Sequence, residues 1–261
     1  MTGRVRVRHT GMTTTELSDR TTIVVGASRG LGRGIATAFA AAGAPVIAVA
    51  RSAAAQADLA AGIQPEVADA TDATVTASLL DRYEPHVVVI AAGAAPHMRP
   101  LQQQTWETFS IHWQTDVRIA FQWLREALLK PMRPGSRVVV VSSGAALNPN
   151  GSPLSGGYAG AKATQRFITG YAQEESDGAG LDITFTTVLP QFAPQTGVGQ
   201  RAVAAYAARA DMSVADFLDS QPYPLLTPEV AGTALVELVQ NDTADLAAAY
   251  LLNGGGIQKL T

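Results

Sequence analysis

Along the chain, short runs of β-branched and aliphatic residues alternate with longer alanine-rich stretches whose apolar positions recur every three to four residues. The runs at 21–25, 45–50, 86–91, 137–142 and 182–189 fit strands, and a strand ending at Asp69 makes the third in order. The stretches at 31–42, 72–83, 105–129 and 158–175 fit helices. Strands such as Val87-Val88-Val89-Ile90 are apolar throughout rather than alternating, as they must be when helices cover both faces of a parallel sheet. The pattern predicts one α/β domain over 20–261, a doubly wound parallel sheet of Rossmann-like type, preceded by a flexible extension over 1–19. Within the domain, 191–226 holds two short helical patterns bounded by Pro190, Pro194, Pro222 and Pro224, which predicts a small helical lid. Thr227 opens a further helix, and 249–252 is a last strand before Gly254-Gly255-Gly256.

Composition narrows the function classes. Of the 261 residues 47% are hydrophobic and 16% charged, on the apolar side of the average of about 25% charged, which excludes a disordered chain. A net charge of −3 offers no electrostatic footprint for nucleic acid. The most apolar long stretch free of charge, 34–50, is broken by Gly43 and Pro45 and is shorter than the roughly 20 residues of a membrane span. Arg4, Arg6 and Arg8 are followed by no apolar run, so no secretory signal is expected at the start; residues 1–11 are expected to be dispensable, with Met12 a candidate alternative start. The absence of cysteine excludes disulfides and thiol nucleophiles and fits a cytoplasmic protein. His9, His86, His97 and His112 have no metal-ligand spacing, so no metal is expected.

The first strand runs into Gly26-Ala27-Ser28-Arg29-Gly30-Leu31-Gly32 and then a helix. Glycines at such a turn let backbone N–H groups approach a pyrophosphate at a positive helix N-terminus. At the end of the second strand, where a fold that binds NAD presents an acid to the ribose, this chain has Ala50-Arg51-Ser52. Arg51 and Arg29 together suit a 2′-phosphate, so NADP(H) is the expected cofactor, unless both are merely solvated surface cations. Asp69 is placed either to accept from an adenine amino group or to cap the following helix. Tyr158-Ala-Gly-Ala-Lys162 opens a helical segment, where positions i and i+4 share a face. A nearby ammonium favours phenolate and suits a tyrosine to move a proton. Ser143, at the end of the fifth strand, is a hydroxyl able to orient a carbonyl.

In this order the motifs resemble the short-chain dehydrogenase/reductase family over about 20–257: Gly26-x-x-x-Gly30-x-Gly32, Asp69 in Ala68-Asp69-Ala70-Thr71-Asp72, Ser143, Tyr158-x-x-x-Lys162, Pro190 and Gly254-Gly255. The resemblance implies Tyr158 as proton donor, Ser143 as substrate-orienting hydroxyl, and Lys162 on the nicotinamide ribose, with hydride passing between nicotinamide and a ketone, aldehyde or alcohol. Cofactor contacts are expected from Gly26, Ser28, Arg29, Gly30, Leu31, Gly32, Arg51, Asp69, Ala70, Ala92, Gly93, Tyr158, Lys162, Pro190 and Thr196. It also implies a homodimer or homotetramer paired through the long helices after the fourth and fifth strands.

The chain departs from the family in several places. Ile90-Ala91-Ala92-Gly93 replaces Asn-Asn-Ala-Gly, and Trp113 stands where the family has an asparagine that opens a helix distortion and supports a relay water. Indole offers no acceptor and is expected to fill that space. The segment between Ser143 and Tyr158 is two residues longer than usual, Gln191 follows Pro190 in place of glycine, and the usual threonine is displaced by one, to Thr196. These changes leave open an NADP-binding protein without redox turnover, a sensor or ligand carrier, or a non-redox reaction on the same scaffold. Phe192, Tyr206, Phe217 and Leu218 in the lid either contact an apolar or aromatic substrate or pack the lid itself. His97 is either a substrate contact or a plain loop residue.

Overall fold

The computed structural model describes residues 17–148, 152–241 and 246–260. Eight strands form one sheet in the order β3-β2-β1-β4-β5-β6-β7-β8: β1 (Thr22–Val25), β2 (Val46–Ala50), β3 (Ile63–Val67), β4 (Val87–Ile90), β5 (Arg137–Val141), β6 (Thr184–Pro190), β7 (Ala249–Asn253) and β8 (Gly256–Lys259). All neighbours are parallel except β7 and β8, which form a hairpin turning at Gly254-Gly255. This last strand was not in the sequence pattern.

The helices are α1 (Gly30–Ala41), α2 (Ala73–Tyr83), α3 (Trp106–His112), α4 (Arg118–Leu129), α5 (Gly156–Ala179), α6 (Gly197–Arg209), α7 (Val214–Asp219) and α8 (Pro228–Gln240). The expected helix over 105–129 is interrupted by a π-helical turn at Trp113–Val117, which separates α3 from α4. The two short helical patterns read between 191 and 226 are present as α6 and α7, the segment expected to form the lid. Thr196, Ser213 and Thr227 cap α6, α7 and α8 through their hydroxyls, which fixes where each begins.

Successive residues of each strand feed opposite faces. Val24, Ala48, Val89, Val139 and Val188 pack under α1 and α8, with Phe39 and Leu235. Ile23, Ile47, Val88, Val138 and Phe185 pack on the other side against α2, α4 and α5, with Leu79 and Trp123. The doubly wound expectation is thereby met in detail. Leu17 is fully buried in the first of these clusters, so the packed body begins no later than this residue and takes in part of the expected 1–19 extension. The rest of that extension, with Arg4, Arg6, Arg8, His9 and Met12, lies outside the described residues.

Candidate active site

The strand order reverses between β1 and β4, and the crevice beyond the strand C-termini at such a point is where open α/β sheets bind ligands. A cleft of about 1000 Å³ opens there, continuing to the lid. Every cofactor and catalytic position singled out in the sequence lines it: the glycine loop, Arg51, Asp69 and Ala70, Ala92 and Gly93, Ser143, Tyr158 and Lys162, Pro190 and Thr196.

The glycine loop is built by close backbone approach. Gly26 has φ +91°, and a Cβ there would lie 2.6 Å from the Ala92 nitrogen; one on Gly32 would lie 2.3 Å from the Gly26 carbonyl oxygen. No side chain caps α1, whose N-cap is Arg29, so the positive end of a twelve-residue helix faces the cleft. Bare backbone, helix end and the exposed cations Arg29 and Arg51 suit a dinucleotide phosphate. Thr196 methyl and Cβ lie 3.4 Å from where a Gly30 Cβ would be, so the lid helix α6 starts against this loop.

Asp69 stands two residues beyond β3. Its Oδ1 accepts from Thr71 N (3.0 Å) and Thr71 Oγ1 (2.8 Å), while Asp72 caps α2 through Thr74 N and Val75 N; the helix-cap alternative for Asp69 is excluded. The Thr71 N–H and hydroxyl hold the Asp69 carboxyl below its usual range, against slight burial.

At the other end of the cleft, Ser143 begins the turn after β5, and its Oγ accepts from Ala145 N at 3.2 Å. The hydroxyl hydrogen is thereby left for another acceptor. Tyr158 sits in the first turn of α5 and Lys162 one turn on, with Nζ 5.5 Å from the tyrosine ring centroid. Ser142 Oγ donates to the Lys162 carbonyl at 2.7 Å and ties β5 to this turn. Glycines bring α3 close: a Cβ on Gly157 would lie 2.4 Å from the Phe109 carbonyl oxygen, and one on Gly160 would lie 2.9 Å from the Trp113 ring.

The helix distortion that the family opens with an asparagine is present here without that residue, as the π-helical turn at Trp113–Val117. Trp113 does not fill the space beside Lys162 as expected. It stacks on Phe109 with ring centroids 5.4 Å apart and lies against Gly160. The space is taken by Asp116, three residues on, whose Oδ2 is 3.1 Å from Lys162 Nζ and whose Oδ1 accepts from Ala94 N at 2.8 Å. His112 Nδ1 lies 3.5 Å from the same Oδ1, and the His112 ring stands edge-on to Tyr158 at 5.2 Å. Gln165 spans the gap behind: its Oε1 accepts from Lys162 Nζ at 3.0 Å and its Nε2 donates to the Asp116 carbonyl at 2.8 Å.

Asp116, His112 and Gln165 were not among the expected site residues. A signal for two of them exists: His112 and Asp116 are spaced i, i+4, and Asp116 precedes the buried pair Ile119 and Ala120 on the apolar stripe of α4. A carboxylate on an apolar stripe requires a partner.

In the lid, Phe192, Tyr206 and Phe217 line the cleft and Leu218 does not. Phe192 meets both other rings edge-on, at 6.3 and 5.7 Å. The Tyr206 hydroxyl is bonded to Ser152 (2.6 Å) and Ser155 (3.0 Å), joining α6 to the start of α5. His97 is exposed and borders a separate shallow depression with Arg99 and Arg201, which favours the plain loop reading. The lengthened segment before Tyr158 lies in part outside the described residues, which resume at 152. Among the described residues no cluster of metal-ligating side chains occurs, and no helix is long and apolar enough to cross a membrane.

Among curated proteins none matches the chain. A crystal structure of a short chain dehydrogenase from Mycobacterium avium shares its fold, with a TM-score of 0.73 and 22% identity over 95% of this chain and 86% of that one. The family model described as short chain dehydrogenase matches residues 20–207, from the approach to β1 through the glycine loop, the tyrosine–lysine helix and most of α6. That match covers well over half of the sequence, and the chain accordingly belongs to the short chain dehydrogenases, a family of oxidoreductases that bind a nicotinamide cofactor.

Proposed function

We propose that the protein is an NADP(H)-dependent oxidoreductase that interconverts a ketone or aldehyde with the corresponding alcohol. The observation that carries this reading is one continuous cleft, with a glycine-built phosphate cradle flanked by Arg29 and Arg51 at one end and Ser143, Tyr158 and Lys162 at the other. When bound, the nicotinamide would supply or accept the hydride. Tyr158 holds the proton at its phenolic oxygen for the substrate oxygen, and Ser143, its lone pair engaged by Ala145 N–H, donates a second hydrogen bond to that atom. Lys162 brings its ammonium to the same end of the cleft. Two guanidiniums and no acid where a ribose 2′-group would lie favour the phosphorylated cofactor. The Phe192, Tyr206 and Phe217 side chains that line the lid support an apolar or aromatic substrate.

The reading includes self-association. On α5, Phe167 and Tyr171 are 75% and 59% exposed at i, i+4 spacing, and Phe121 on α4 is 51% exposed, an apolar face suited to a second copy of the chain. The activity is tested by following NADPH oxidation at 340 nm with a panel of aryl and alkyl ketones and aldehydes. Turnover that depends on Tyr158 supports the reading. Tight NADPH binding without turnover of any carbonyl compound would favour a cofactor-binding role without redox chemistry.

A further inference from the structure

The Asp116 carboxylate is fully buried and has no part in the chemistry just described. We propose that Asp116 is a positioning residue whose carboxylate supplies the counter-charge that holds the Lys162 ammonium at the catalytic end of the cleft, a role that rests on the reading of Lys162 given above.

The geometry supports this from several sides. An ammonium has three N–H donors. One is given to Gln165 Oε1 at 3.0 Å, and Nζ lies 3.1 Å from Asp116 Oδ2 as an ion pair, so the ammonium is held from behind while Lys162 lines the cleft. Asp116 is held in turn by the Ala94 N–H, and its Oδ2 lies 2.7 Å from where a Gly93 Cβ would be. Only a glycine at 93 lets the carboxylate reach the lysine. The ionisable groups that face the pair are Tyr158 on α5 and His112 on α3; the loop after β4 offers backbone only.

Charge and burial agree with the geometry. Burial pushes the Asp116 carboxyl up, but the Lys162 ammonium, the neighbouring His112 imidazole and the Ala94 N–H outweigh it and hold the group below its usual range. Burial pushes Lys162 down, and Asp116, followed by the Tyr158 phenol, lifts it above its usual value. With the carboxylate removed, burial is the largest influence left on Lys162, and a buried lysine sheds its proton readily.

The sequence makes the test direct, because it contains three lysines, Lys130, Lys162 and Lys259. Protein labelled with ¹³C at lysine Cε is titrated without cofactor, and Lys162 is assigned by loss of its resonance in Lys162→Arg. In the unmodified protein Lys162 is expected to keep its ammonium shift through the pH at which the exposed Lys259 deprotonates. In Asp116→Asn it is expected to deprotonate before Lys259, with its midpoint lowered by at least about one pH unit, and the alkaline limb of kcat is expected to move the same way. A Lys162 midpoint unchanged by the substitution would overturn the proposal. If Asp116→Asn does not fold, the unmodified protein decides: a Lys162 that deprotonates before Lys259 rejects the role. Neither titration needs cofactor or substrate, so failure here is distinct from failure of the carbonyl reductase reading.

Discussion

Arg51 is exposed at the end of β2, facing the cleft, and it carries the cofactor prediction. Charge-assisted hydrogen bonds to a phosphate are strong enough that Arg51→Asp should weaken NADPH binding by about tenfold or more while sparing NADH. Fluorescence titrations with both nucleotides check this, and a native preference for NADH would refute it. Tyr158→Phe removes the proposed proton donor alone and should lower kcat by about a hundredfold with little change in NADPH affinity, as read by single-turnover oxidation. For Asp116 the prediction concerns stability. Its carboxyl lies below the ordinary value of 3.8, so its contribution is present above that pH and lost as pH falls through the lower folded value. Lys162, raised above 10.5, contributes below that pH and loses its contribution only as pH rises past it. The Tm of Asp116→Asn should therefore lie furthest below that of the unmodified protein near neutrality, and the gap should close in acid. Melts from neutral pH into acid would test this, and a gap that does not change with pH would contradict it.

Glycine loop, Tyr158 and Lys162 were legible as single residues because each depends on local backbone or on i, i+4 spacing. Asp116 was visible only as a charge on an apolar stripe. Its partner sits 46 positions away in sequence, on a helix whose approach is set by Gly157 and Gly160, and no local pattern encodes such a contact.

Among the elements, α1 and α8 pack backbone against backbone. A Cβ on Gly34 would lie 2.3 Å from the Pro228 carbonyl oxygen, and one on Gly232 would lie 2.6 Å from the Ala38 Cβ and 2.7 Å from the Gly34 carbonyl oxygen. The two backbones touch, so Gly232→Leu should cost about 1–3 kcal/mol by overpacking. Thermal melts should show a Tm several degrees lower, whereas Gly170→Ala, where a Cβ meets nothing within 4 Å, should leave the fold intact. Element boundaries were legible to within a few residues wherever a hydroxyl cap or a glycine marks them. The edge strands were harder to see: β3 buries one of its five residues fully and β8 none, so neither has a hydrophobic pattern to announce it. The break between α3 and α4 was hidden for another reason, since the apolar stripe continues through it.

For the molecule as a whole, the exposed aromatic face on α4 and α5 predicts association. Phe167→Glu should convert a dimer or tetramer to smaller species in light scattering coupled to size exclusion, without loss of Tm beyond that of a surface change. A native protein that runs as a single chain would remove the prediction.

The sheet's outer edges have a consequence for how the protein behaves at high concentration. On β3 the Ala68 N–H points inward to the Ala50 carbonyl, so by alternation Pro65 stands where an N–H would point outward, and it has none to offer. The opposite edge is β8, a four-residue antiparallel strand carrying Gln258 and Lys259. Neither border gives an incoming chain a long, unbroken row of donors and acceptors on which to add a strand. A concentrated solution should therefore resist fibril growth even though the central strands β1, β4 and β5 are mostly valine and isoleucine. Pro65→Val would reopen one border to that kind of growth.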